Sequence, residues 1–391
     1  MLYFWMVGVV SIFTLTPHNP FGIPGTREAY ILLSAAYIPF FFAQKPKGYL
    51  PYFVLLIPPL AMTYSAAMAG FTFGQPFLAG VMEERRMLQL WTFFPLAVHA
   101  RDFDHLMKVF LRVCIFAAIM GILNYIGVLP GWHEYEISAA DGRDGRANFA
   151  TNPLLIATLY STEMMLKSKA TRRDVIAVIL GLTFLVVVAQ TRQIVLAYML
   201  VTTLRLAFSR GNAVLKFFTM GALSLIVVYA AFELSTDSFL VAKYAELLDL
   251  ESLSDSARGS TIATIYNNLS AFGSGALSLS WRGGFSEIYG QNFFLSDVGI
   301  FATFFRFGVI FAPVILIITF LFFWAPYKKS VQTSQRVAVS VSAIALILLI
   351  PTGAIFEHKS VLLAIVVAMG YAGNMFSKRI RVRFTSTAFN A

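Results

Sequence analysis

Five stretches of this chain, 107–127, 175–189, 217–232, 309–323 and 338–350, run almost without charge. A hydrocarbon core of roughly 30 Å needs about 20 such residues per helix, fewer where flanking side chains snorkel. In lipid, every backbone N–H and C=O must find its partner within the segment, and continuous helix provides that. The stretches therefore predict membrane-crossing helices. Composition agrees, because only 13% of the 391 residues are charged, about half the roughly 25% of a soluble domain. The expected fold class is all-α, a polytopic integral membrane protein with residues 1–391 forming one domain.

Helices are expected at 1–15, 28–43, 50–70, 87–99, 107–128, 150–166, 174–190, 193–207, 216–235, 307–325, 335–353 and 359–375, about twelve transmembrane helices in all. Basic residues then assign the sides. Lys45 and Lys47, Arg101 and Lys108, the group Lys167, Lys169, Arg172 and Arg173, and the group Arg205, Arg210 and Lys216 occupy successive loops. Lys328 and Lys329 follow, then Lys378, Arg379, Arg381 and Arg383. With twelve alternating helices all these groups fall on one side, which the positive-inside rule makes the cytoplasm, and both termini lie there. The expected location is a bacterial inner membrane. The same distribution argues against nucleic acid as the reason for a net charge of +10, since loop charges of this kind report topology.

The first apolar run lacks a basic leader and a small-residue cleavage site, so it reads as a retained helix. Cys114, the sole cysteine, excludes an intrachain disulfide and a cysteine-based zinc site and reads as packing. His18, His99, His105 and His133 are scattered without metal-ligand spacing. Two long loops are expected outside, 129–149 and 236–291, the second between helices 9 and 10 and carrying a helical stretch over 239–250. These two loops are the expected substrate site.

The outer side should be poor in Arg and Lys, yet Arg85, Arg86, Arg143, Arg146, Arg192, Arg258, Arg282, Arg306 and Lys359 fall there. Arg192 sits between two helices with almost no loop, and Arg306 sits among phenylalanines. An arginine at such depth costs about 2.5–3.5 kcal/mol on insertion scales and needs a partner. Few outer carboxylates lie at that depth in the sequence. An anionic ligand is the alternative, since the planar guanidinium bonds phosphate oxygens in bidentate fashion. Arg146, Arg192, Arg258 and Arg306 form the expected phosphate set; snorkelling to the headgroups or pairing with loop carboxylates is the competing reading. Glu357 and His358, which interrupt two apolar runs, and Asp297, an acid in apolar surroundings, are candidates for proton transfer. For Asp297 a salt bridge to Arg306 or Arg258 is the plainer account. Trp281, Tyr289 and Trp132 suit sugar stacking, although outer aromatics are also ordinary interface anchors.

Three segments together resemble the O-antigen polymerase and ligase superfamily of bacterial surface-polysaccharide assembly. The first runs from Arg146 through Asn152 and Pro153 into a helix. The second is Thr191, Arg192 and Gln193 at a helix start. The third runs from Arg258 through the glycine turn at Gly273 and Gly275, past Asn292, to Asp297, Gly299 and Arg306. The resemblance spans roughly residues 80–325, and it lies in the order of the motifs more than in any one of them.

The resemblance implies a glycosyltransferase of the GT-C-like kind that uses an undecaprenyl-diphosphate-linked oligosaccharide as donor, with membrane lipids and a chain-length regulator as further partners. It implies that Arg146, Arg192 and Arg258 hold the diphosphate and that Asn292 lies near the glycan. Preorganised cations stabilise a leaving group that gains negative charge, so no metal and no cofactor are expected. Ligases of the superfamily carry a histidine just before that asparagine; here it is Gln291, which cannot take up a proton. The expectation is therefore a polymerase making O-antigen or exopolysaccharide, with a ligase to lipid A core or another acceptor as runner-up. A transporter or flippase for an anionic, lipid-linked substrate is the alternative of a different class.

Overall fold

The computed structural model describes residues 1–10, 26–128, 150–189, 192–208, 257–278, 281–290, 295, 298–351 and 353–372. Among them every regular element is helical. In chain order they are α1 (Leu2–Val9), α2 (Thr26–Ala43), α3 (Leu50–Phe73), α4 (Phe77–Glu84), a 3₁₀ segment (Arg85–Thr92), α5 (Phe93–His99), α6 (Phe103–Tyr125) and α7 (Thr151–Leu166). Then come α8 (Arg172–Thr183) with a π turn (Phe184–Val188), α9 (Arg192–Phe208), α10 (Ala257–Asn267), α11 (Phe285–Tyr289), α12 (Ile300–Lys329), α13 (Thr333–Leu349), α14 (Ile355–His358) and α15 (Ser360–Tyr371).

Three of these, Leu50–Phe73, Phe103–Tyr125 and Ile300–Lys329, are long and apolar enough to cross a membrane. Ile194–Leu206, Thr333–Leu349 and Ser360–Tyr371 are shorter apolar helices. The outward faces of the long helices expose Leu56 and Leu60, Phe116 and Ile119, and Val314, Ile317 and Phe320. A protein in water rarely leaves so continuous an apolar surface uncovered, whereas a bilayer would cover it.

Helix ends follow local chemistry. Asp102 caps α6, its carboxylate accepting the His105 backbone N–H at 2.8 Å. Thr171 and Asp174 form a capping box at the start of α8, an arrangement that satisfies two orphan backbone donors reciprocally. Gln335 opens α13 and reaches across to the end of α15, donating to the carbonyls of Met369 and Gly370 at 2.8 and 3.0 Å. All twelve residues of α15 are buried, as a helix apolar all round should be. It packs against α12, α13, α5 and the 3₁₀ segment, so this short apolar helix is the hub of the core.

The central departure from a plain span lies in α12. Gly308 has φ 72° and ψ 175°, which interrupts the helical ladder and strands carbonyls on one side and N–H groups on the other. The extended segment 270–275 satisfies them. Ser274 N donates to Phe305 O at 2.7 Å and Gly275 N to Arg306 O at 3.2 Å. Val309 N and Ile310 N donate to the carbonyls of Ser270 and Ala271, both at 3.1 Å. Irregular backbone of this kind survives in an apolar environment only when buried in protein that completes its hydrogen bonds.

These elements adjust several sequence expectations. The helix expected at 307–325 starts at Ile300 and carries Arg306 inside it, because the break falls at Gly308 and not at the arginine. The helix expected at 87–99 begins as tighter 3₁₀ turns from Arg85. At three residues per turn, Met87, Leu90 and Phe93 line up on one face, and all three are fully buried. The expected helices at 216–235 and 239–250 lie outside the described residues, as does loop 129–149.

Candidate functional site

Three stretches far apart in sequence, 84–86, 306 and 357–359, meet at one end of the apolar helices. Glu84 closes α4, and Arg85 and Arg86 open the 3₁₀ segment. Arg306 ends the first half of α12, and α14 carries Glu357 and His358. Arg306 Nε donates to Glu84 Oε1 at 2.8 Å, with both side chains only 2% exposed. Its Nη2 lies 2.7 Å from His358 Nε2. Arg86 approaches from the other side, its Nη1 3.4 Å from His358 Nδ1, and the Arg86 carbonyl accepts a hydrogen bond from Ser360 Oγ at 2.5 Å. Arg85 pairs with Glu28.

Arginine can only donate, so the short contact makes His358 Nε2 the acceptor and puts the ring proton on Nδ1. Arg86 then faces an N–H, which accounts for the longer 3.4 Å separation. Burial, reinforced by Arg306, Arg86, Lys359 and Arg27, holds the His358 imidazole well below its ordinary range, and the ring is neutral. Burial and the neighbouring Glu84 push the Glu83 carboxyl upward. Burial also raises Glu357 against the opposing pull of Arg306. Glu357 Oε1 accepts a hydrogen bond from Thr303 Oγ1 at 2.7 Å. Arg306 Nη1 and Glu357 Oε2 have no hydrogen-bond partner among the described residues.

A second layer aims the arginine. Ser65 Oγ donates to Glu84 Oε1 at 2.7 Å and accepts the Ala276 N–H at 3.2 Å. Gln75 holds the same extended segment from beyond, donating to Ala276 O at 3.3 Å and accepting Ser278 N–H at 2.7 Å. Replacing Ser65 by alanine leaves the buried Ala276 N–H unpaired and takes one donor from Glu84. Such a loss costs about 1–3 kcal/mol; it should appear as a lower unfolding temperature in detergent with faster hydrogen exchange at Ala276.

The sequence-derived candidates distribute as follows. Arg306, Glu357 and His358 come together, joined by Arg86, which lies outside the expected phosphate set. Arg306 was expected to need an anionic ligand for want of a carboxylate, but it has one in Glu84. The residues that sequence reasoning missed are Glu84, Ser65, Gln75 and Thr303. The signal for Glu84 was available: a carboxylate ending an apolar stretch needs a cation by the same rule that makes Arg306 need an anion.

Arg192 and Arg258 stand in the first turns of α9 and α10, and their side chains lie outside the described residues. Arg146, Asp297 and Asn292 also lie outside them, as do Trp132 and Gln291. Trp281 is partly buried, with the Arg282 guanidinium over its ring at 5.1 Å. Tyr289 stacks on Phe285 at 6.2 Å and meets the edge of Phe305 at 6.5 Å. One face of each of these rings is thus committed to protein. Among the described residues no three His, Cys, Asp or Glu side chains are placed to hold a metal ion. A scan against protein-family models finds no match to this chain, and a search among curated proteins finds none either.

Proposed function

We propose that this chain is a membrane-embedded glycosyltransferase that polymerises lipid-diphosphate-linked oligosaccharide repeat units, building O-antigen or exopolysaccharide on the periplasmic face of a bacterial inner membrane. On this reading it crosses the bilayer about twelve times in a GT-C-like arrangement, with both termini in the cytoplasm. Its donor is an undecaprenyl-diphosphate-linked glycan, and loops 129–149 and 236–291 complete the site. The observation that carries the proposal is the cation cluster at one end of the apolar helices, buried at Arg306 and half-buried at Arg86, Lys359 and Arg27. Arg306, Arg86, Lys359 and Arg27 all act on His358, and one Arg306 nitrogen is left without a partner among the described residues.

Transfer from a lipid diphosphate leaves negative charge on the departing group, and fixed guanidinium groups stabilise it without reorganising. Arg192 and Arg258 support the same chemistry. Each sits in the first turn of a helix, where the dipole disfavours a lone cation and favours an anion. A diphosphate that drew Arg306 onto itself would free the His358 Nε2 lone pair to accept the proton of the acceptor hydroxyl. Donor binding and base activation would then be one event. Asp297 remains the other candidate base, and Glu357 a third candidate for proton transfer.

The test is glycan length in cells. Arg258→Ala and Arg192→Ala should each reduce long-chain glycan at least tenfold and leave single repeat units attached. Loss of even the single unit would indicate a ligase, and normal chains in both variants would sink the diphosphate assignment. The purified protein should elongate lipid-diphosphate repeat units in EDTA, and strict dependence on an added divalent ion would count against arginine-only stabilisation.

One observation favours a second reading, a transporter or flippase for an anionic lipid-linked substrate. Half-helices joined by irregular backbone, as at Gly308 in α12, are the usual construction of transporter binding sites. Substrate movement across sealed vesicles without any change in its glycan length would select this reading.

A further inference from the structure

Two buried glutamates flank the Arg306–His358 pair, and they are solvated in opposite ways. Glu84 receives the Arg306 guanidinium and the Ser65 hydroxyl. Glu357 is buried just as deeply, at 1% exposure, but receives one hydroxyl, from Thr303. It takes part in no ion pair among the described residues, and its Oε2 has no hydrogen-bond partner there. Glu357 itself lines a water-sized pocket of about 10 Å³ with Ile300, Thr303, Ile315, Thr319 and Ile350. A buried carboxylate without a cation is far costlier than the neutral acid. We propose that Glu357 is a proton-binding site that carries its proton on Oε2, and that this neutral acid, buried where Glu84 has a cation, is the carboxyl of the cluster that reacts with apolar carboxyl reagents.

The charged groups around it come from every packed element. Thr303 and Arg306 face it from α12, and Glu84 at the end of α4 adds its charge; α14 also packs on the 3₁₀ segment, which opens with Arg85 and Arg86, and on α15, and His358 and Lys359 follow Glu357 in the chain. Arg306 opposes protonation and burial favours it, and burial is the larger effect. The contrast with Glu84 is the geometric core of the inference: two carboxyls in one cluster, one given a cation and one denied it. Environments that divide a carboxyl pair in this way favour the neutral acid at the member without a cation.

Dicyclohexylcarbodiimide is the probe. The protonated carboxyl adds across one C=N bond: its oxygen bonds to the central carbon and its proton passes to nitrogen. The O-acylisourea then shifts its acyl group from oxygen to nitrogen, giving a stable N-acylurea with no atom lost. Full-length protein in detergent should be treated across a pH series and its peptides read by mass spectrometry. Glu357 should be labelled well above the pH at which exposed Glu287 stops reacting. Its labelling should fall as pH rises further, because deprotonation removes the reactive form. Glu84 should remain at least tenfold less labelled. A water-soluble charged carbodiimide should spare Glu357.

Glu357→Gln should abolish labelling of that peptide. Thr303→Val, which removes the one hydroxyl donor, should extend Glu357 labelling to higher pH and guards against a misfolded first variant. Labelling of Glu357 no greater than that of Glu84, or independent of pH, overturns the proposal. This outcome is separate from the glycosyltransferase reading, which stands or falls on glycan length in the Arg258 and Arg192 variants.

Discussion

Replacing Glu84 by alanine should cost about 3–5 kcal/mol of stability, the usual result of stranding one member of a buried ion pair. Arg306 would be left with its Nε unpaired in a site 2% exposed, and its guanidinium could neither leave nor find water. The double variant Glu84→Ala with Arg306→Met should recover most of that loss, since removing both charges leaves nothing to solvate. Thermal unfolding in detergent reads the series. Equal damage in the single and double variants would mean that the pair is exposed in solution and its burial is not what holds it. If the proposed polymerase reading holds, the same double variant should make no long-chain glycan, which separates the pair's structural cost from its functional use.

The second large effect is expected at Gly273. Its φ is +85°, and an added Cβ would come within 2.3 Å of the Arg306 carbonyl and 2.5 Å of Gly308 N, both backbone atoms. Gly273→Ala must therefore push apart the segment and the broken helix, and it puts at risk the hydrogen bonds that join residues 270–275 to Phe305, Arg306, Val309 and Ile310. A left-handed conformation alone costs a non-glycine residue about 1–2 kcal/mol, and each buried backbone group left unpaired adds about 1–3 kcal/mol. Loss of folded protein is the expected result. Gly127→Ala is the control: its φ is +76° but nothing lies within 4 Å of the added Cβ, so only the conformational cost remains. Equal effects at the two sites would show that the docking of the segment on α12 contributes nothing.

Much of this architecture was legible in the chain. Uncharged runs of sufficient length read directly as helix, because an apolar environment leaves the backbone no other way to complete its hydrogen bonds. Nearly all the described helices of ten residues or more overlap one of the twelve expected from the sequence. The 3₁₀ segment was not legible, since periods of 3.0 and 3.6 residues differ too little over eight residues to separate. The start of α12 was missed for a related reason. A charged Arg306 read as a boundary, although the helix runs through it and breaks two residues later at Gly308.

The candidate site divides in the same way. Sequence alone singled out Arg306, Glu357 and His358, because charge in an apolar setting must be paired or used. Of the basic residues it expected on the outer side, Arg306 and Arg86 lie against His358 and Lys359 acts on its charge, whereas Arg85 turns to Glu28. Which carboxylate answers which cation was decided only by tertiary packing. Glu84 and Arg306 are 222 positions apart, and sequence encodes the need of each for a partner without encoding the partner. The rule that made the opening feature informative, that lipid tolerates no unsatisfied polar group, fixes the helices locally through hydrogen bonds four residues apart. The same rule fixes the site only globally, once α3, α4, α12 and α14 have packed and each buried charge has met, or failed to meet, its opposite.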